Sequence, residues 1–133
     1  MKILATVLAL LTTNPALAVE LSGSCADLEG HSIGYQKGKR IDEADRTTVT
    51  FNYKVKGQTA TIEIPAQGLR ENASVIGATA KQVVLFVAYP EAVWIHTLYP
   101  VANQAIINRA TTGFGLDQSA AMGSIFTATC NWH

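Results

Sequence analysis

The stretch Thr48-Val49-Thr50-Phe51-Asn52-Tyr53-Lys54-Val55, then Lys56-Gly57-Gln58, then Thr59-Ala60-Thr61-Ile62-Glu63-Ile64-Pro65, decides the fold class. Successive side chains of an extended chain point to opposite sides, so period-two alternation marks a half-buried strand. Val49, Phe51, Tyr53 and Val55 fall on one side of the first segment. Thr48, Thr50, Asn52 and Lys54 fall on the other. Ala60, Ile62 and Ile64 repeat the pattern after a Gly-containing turn, and Pro65 closes the segment because proline cannot donate to a ladder. The two segments form a hairpin with one dry face and one wet face.

The same reading extends outward. Residues 21–25 and 32–36 read as a first and a second strand. Residues 73–80 are ambiguous: their alanines tolerate a helix, while Val75, Ile76 and Thr79 around Gly77 lean towards a strand. Strands are then expected at 82–89, 93–99 and 105–112, separated by turns at Pro90-Glu91 and at 100–103. A loop follows at 113–122, with a helical turn at Gln118-Ser119-Ala120-Ala121. The last strand spans 123–131, with Phe126, Ala128 and Cys130 on one face. Lys37, Lys39, Arg40, Asp42, Glu43, Asp45 and Arg46 alternate in sign and read as a solvated loop, and His31 falls in a turn beside Glu29 and Gly30. No helix is long enough for a parallel crossover. The expected fold is therefore all-β, a single-domain antiparallel meander of about eight strands, closed as a small barrel. A two-sheet sandwich is the alternative.

The first residues bear on the compartment. Lys2 precedes an apolar run from Ile3 to Leu11, and Ala16-Leu17-Ala18 supplies the small-x-small pattern of a signal-peptidase site. The run is shorter than the roughly 20 apolar residues that cross a bilayer. Residues 1–18 are thus expected to be a cleaved signal peptide and residues 19–133 one β domain, periplasmic or secreted, with no membrane span. Cleavage takes one lysine from a chain of 10 Lys+Arg and 10 Asp+Glu, and leaves a formal charge of −1. A near-neutral domain with dispersed charges has no footprint for nucleic acid. Cys25 and Cys130 are the only cysteines, one near each end of the mature chain. An even pair in an oxidising compartment reads as a disulfide, here tying the first strand to the last.

Candidate chemistry is sparse. The chain has no Gly-x-Ser-x-Gly elbow, no phosphate loop and no metal-ligand spacing, so no catalytic residue, cofactor or metal is assigned. A small hydrolase using His31 or His96 stays open as an alternative, because triads assemble in space. Asn72-Ala73-Ser74 matches a glycosylation sequon, and Trp132 is expected to pack against the disulfide.

The most informative segment is 82–112. A turn centred on Pro90-Glu91 puts Trp94 opposite Val87 and His96 opposite Leu85. A turn centred on Ala102-Asn103 puts His96 opposite Arg109 and Leu98 opposite Ile107. One face then carries Trp94, His96, Leu98 and Arg109 among aliphatic residues. The other carries Val84, Phe86, Val93, Ile95 and Ile106. Two readings follow: a meander covered on both sides, or a recognition patch of Trp94, His96, Arg109 and Leu98, at least partly exposed. In the second, Arg109 lowers the His96 pKa by like-charge repulsion.

Trp94-Ile95-His96, the run Ile107-Asn108-Arg109-Ala110-Thr111-Thr112, and Gly123-Ser124-Ile125-Phe126-Thr127-Ala128-Thr129-Cys130 carry a resemblance. They resemble the closing half of small exported proteins of Gram-negative bacteria, and the general shape is similar to periplasmic lysozyme inhibitors, which are disulfide-closed β-barrels. The resemblance implies a bacterial envelope protein that acts by binding, and it assigns no site residue. The leading expectation is a non-catalytic exported binding protein, an inhibitor or immunity-type factor directed at a protein or small ligand. The alternatives are a self-associating envelope accessory protein and a small hydrolase.

Overall fold

The structure, a computed structural model, describes residues 19–113 and 119–133. The expected signal segment and part of the 113–122 loop therefore lie outside the described residues. Among the described residues there are nine strands: β1 (Glu20–Gln36), β2 (Lys39–Thr47), β3 (Phe51–Lys56), β4 (Thr59–Ile64), β5 (Leu69–Ala78), β6 (Val83–Ala88), β7 (Ala92–Tyr99), β8 (Gln104–Thr112) and β9 (Ala121–Trp132). All pairings are antiparallel, and β1 pairs with β9 to close an eight-stranded barrel of β1 and β3 to β9. β2 is an additional strand outside the closed ring.

The closed barrel is the first of the two architectures the sequence allowed, and two details correct the sequence reading. The two short strands expected at 21–25 and 32–36 are one strand, β1, so His31 lies in a strand and not in a turn. β1 holds one face inward over 17 residues by means of a bulge between Ala26 and Glu29, with Asp27 at φ 54°. An extra residue shifts the alternation by one. Cys25 is therefore buried before the bulge, and Leu28 and Ser32 after it. The charged segment read as a solvated loop is β2, which turns back from β1 at Lys37-Gly38. Mixed-sign charges suit an edge strand exposed to water. The ambiguous stretch at 73–80 is strand as far as Ala78.

β1 is the organising strand. One edge pairs with β9 along nearly its whole length, while the other pairs with β3 through residues 20–25 and with β2 through residues 28–36. The barrel wall is consequently taller on the β1–β9 side than elsewhere. A Cβ at Gly30 would overlap the Ile125 carbonyl oxygen, so glycine lets the two backbones meet closely where the wall coils.

Cys25 and Cys130 face each other across β1 and β9 and form the expected disulfide, with Cα atoms 4.1 Å apart. The barrel interior is filled by Val55, Leu85, Leu98, Ala105, Ile107 and their neighbours. Trp132 packs on this core beside Tyr53, with ring centroids 6.0 Å apart. Among the described residues no helix is long and apolar enough to cross a membrane.

Candidate functional site at the barrel mouth

The β6–β7 register is as the turn chemistry implies: Trp94 lies opposite Val87 and His96 opposite Leu85. The β7–β8 register differs by two residues. Arg109 lies opposite Trp94, His96 opposite Ile107 and Leu98 opposite Ala105. The four-residue connection at 100–103, with Asn103 at φ 53°, sets this pairing. A two-residue shift preserves which side chains share a face and changes only which ones meet.

That face points into the barrel. Leu98 is fully buried in the core and His96 is 2% exposed, so neither belongs to an exposed patch. Trp94 and Arg109 are half-buried at the open end. Of the four candidate residues, the fold thus brings Trp94 and Arg109 together at the mouth, sets His96 beneath Trp94, and withdraws Leu98 into the core.

The mouth is a cavity of about 440 Å³ whose floor and walls include Phe51, Trp94, Arg109 and Phe126. β2 supplies Asp45 and Thr47 on one side, and the end of β4, the connection after it and the start of β5 supply Ile64, Gln67 and Leu69 on the other. Barrel mouths with an apolar lining and a few convergent polar groups are common ligand sites.

Arg109 is held from three directions. Its guanidinium carbon lies 5.3 Å from the Trp94 ring centroid and 5.7 Å from that of Phe126, an aromatic sandwich. Nη2 donates to Ser124 Oγ at 3.2 Å, Ser124 and Ser32 hydroxyls bond at 2.7 Å, and Ser32 donates weakly to Asp45 at 3.4 Å. Because Ser32 donates to Asp45 and Ser124 accepts from Arg109, Ser124 donates to Ser32. The relay runs from a cation to a carboxylate through two buried hydroxyls.

His96 stacks under Trp94, with centroids 5.9 Å apart and planes 17° apart, and meets Phe51 edge-on. Its Nδ1 is hydrogen-bonded to Tyr53 Oη at 2.8 Å. Burial lowers the His96 pKa to about 4 and pushes the Tyr53 phenol up, so both are neutral near pH 7. The expected depression is present, but its cause is desolvation and not Arg109. His96 also lines a smaller chamber of about 40 Å³, which shares Phe51, Ile64, Glu71, Tyr89 and Trp94 with the mouth. Partial burial and the neighbouring Glu71 carboxylate raise the Tyr89 pKa.

Sequence reasoning missed Phe51, Phe126 and Asp45 as members of this site. The alternation marked Phe51 and Phe126 as inward-facing but not how deep each one lies, and Asp45 was hidden by the loop reading of β2. The outer wall shows a second unforeseen feature. Among the described residues, Ile33, Val93, Ile95 and Ile125 line an apolar depression over Ala110 and Gly123 on the outward face of the 82–112 meander. At its edge His31 bonds Asp42, which also pairs with Arg40, and these contacts hold the Asp42 carboxyl below its usual range. Asn72 is exposed on the outside of β5. Among the described residues no group of three His, Cys, Asp or Glu side chains could hold a metal ion. Compared with known protein families, curated proteins and solved structures, the chain matches none.

Proposed function

We propose that the protein is an exported, non-catalytic binding protein that receives an apolar group of a protein or small ligand in the mouth of its barrel, in the manner of an inhibitor or immunity-type factor. One observation carries the reading: a half-open cavity of about 440 Å³ with an aromatic floor and a guanidinium fixed between two of its rings. Ordering a long charged side chain costs conformational entropy. The rings and the Ser124 bond meet that cost before any ligand arrives, leaving a preorganised surface. His96 is bonded to Tyr53, Ser124 accepts from Arg109, and Ser32 is bonded to Ser124, so these three groups already serve to hold the arrangement.

The test is retention of envelope and secreted proteins, and of fluorescent apolar probes, by the immobilised protein and by an Arg109→Met variant shown to be folded. A partner or probe held by the wild type and released by the variant supports the reading. Equal retention by both places binding elsewhere and overturns the mouth as the site.

The outer wall favours a second reading, a self-associating accessory protein. Ile33 is 49% and Ile125 50% exposed beside Val93, and contiguous exposed apolar residues are uncommon on monomers. Sedimentation at rising concentration separates the two readings. Self-association abolished by Ile125→Lys supports the accessory protein, and a monomer at all concentrations removes it.

A further inference from the structure

Resting on the mouth as the binding site, we infer that its occupant is an extended peptide segment of a partner protein, added as a strand along the outer edge of β2, with one apolar side chain lowered into the cavity. β2 ends the strand order, and among the described residues it pairs only with β1. Along its nine residues the outer edge thus presents the N–H and C=O groups of alternate residues, open to pairing. That edge borders the mouth: Asp45 and Thr47 of β2 form one bank of the cavity, and Ile64, Gln67 and Leu69 form the other. A strand laid on β2 would run through this gap. Its alternate side chains would point into the mouth, at the spacing that strand addition uses to combine main-chain affinity with side-chain selectivity.

Charge narrows the partner further. Glu43 pairs with the inward-facing Ser32, so it shares the cavity side of β2 with Asp45, and Glu71 stands on the opposite bank. Arg109, among the described residues the one cation lining the cavity, is engaged by Trp94, Phe126 and Ser124. The segment that complements this rim carries Lys or Arg beside its apolar anchor. Arg40, Asp42 and Arg46 on the other face of β2 discourage indiscriminate edge pairing.

The test selects binders to the purified protein from a phage-displayed library of random nine-residue peptides. It then measures amide protection in β2 with a synthetic copy of the selected peptide, and with two copies N-methylated at alternate residues in either register. The expected result is an apolar residue flanked by basic ones, new protection confined to β2, and at least tenfold weaker binding of one methylated copy. Equal binding of all three copies, or protection that spares β2, overturns strand addition. If no peptide is selected while an apolar fluorescent probe still binds in an Arg109-dependent way, the peptide partner is overturned and the mouth as a binding site stands. If neither binds, both fail.

Discussion

The Arg109 guanidinium lies over the ring of Trp94, the residue directly opposite it across the β7–β8 pair, at 5.3 Å from the ring centroid. A cation over an aromatic face is worth about 0.5–1 kcal/mol where exposed and about 2 where desolvated. Arg109 is half-buried and sandwiched, which places it between those limits. Arg109→Met keeps most of the stem packing and removes the charge and the Ser124 bond. It is expected to lower unfolding stability by about 1 kcal/mol and to change Trp94 emission. Urea unfolding followed by tryptophan fluorescence reads both, and an unchanged midpoint would show that the sandwich contributes nothing to the fold.

A second prediction concerns pH and His96. Its folded-state pKa is depressed to about 4 from an unfolded value near 6.5, so the native state excludes a proton that the unfolded state accepts. This stability is present above pH 6.5 and is lost as pH falls from 6.5 towards 4. The separation corresponds to a loss on the order of 3 kcal/mol. Asp42, whose pKa is lowered by His31 first, acts only below its ordinary value of 3.8 and does not share the window. His96→Phe is expected to flatten the stability profile between pH 6.5 and 4. Tyr53→Phe is expected to cost about 1–3 kcal/mol at pH 7 by leaving Nδ1 unbonded. Stability measured by urea unfolding at half-unit pH steps checks both.

What the sequence showed, and what it withheld, follow from how each signal arises. Alternation in Val49, Phe51, Tyr53 and Val55 reflects burial of one side of a strand, and it is readable wherever the other side is wet. The Cys25–Cys130 link followed from parity. β2 escaped because an edge strand with water around it has no apolar face to display, and charges on it look like those of a loop. The Trp94–Arg109 contact escaped because the length of the 100–103 connection, and not the hydrophobic pattern, fixes the register. A shift of two leaves the pattern unchanged. Whether the Trp94 face pointed into the barrel or out of it was illegible for a related reason: both faces of β6 to β8 are apolar, and only closure assigns one to the interior.

The disulfide gives a third prediction. Cys25 and Cys130 are 105 residues apart in sequence and directly opposed in adjacent strands. Opening the link releases a loop of that size in the unfolded chain, a loss of about 4–5 kcal/mol in the chain-entropy account. β1 and β9 are also joined by backbone pairing on both sides of the bulge. Cys25→Ser with Cys130→Ser is therefore expected to lower the urea midpoint steeply while leaving the folded-state amide pattern of β1 and β9 in place. Loss of that pattern under native conditions would show that the bond holds the barrel closed as well.

Two glycines of β1 and its turn separate close approach from backbone freedom. Gly38 sits at φ 72° in the β1–β2 turn with open space around it, so Gly38→Ala meets only left-handed backbone strain, about 1–2 kcal/mol. Gly30 has no positive φ, but any Cβ there overlaps the Ile125 carbonyl oxygen and crowds the Phe126 ring. The obstacle is backbone, which cannot swing aside as a side chain can. Gly30→Ala is therefore expected to cost about 3 kcal/mol or more, beyond ordinary overpacking. It should part β9 from β1 above the disulfide while Cys25 and Cys130 hold the strands together below. Hydrogen exchange locates the damage: the amides of 123–127 should lose protection in Gly30→Ala and keep it in Gly38→Ala. Equal protection in both variants would mean that the strands can separate slightly at no cost, and that the tight β1–β9 contact does not set the shape of the mouth.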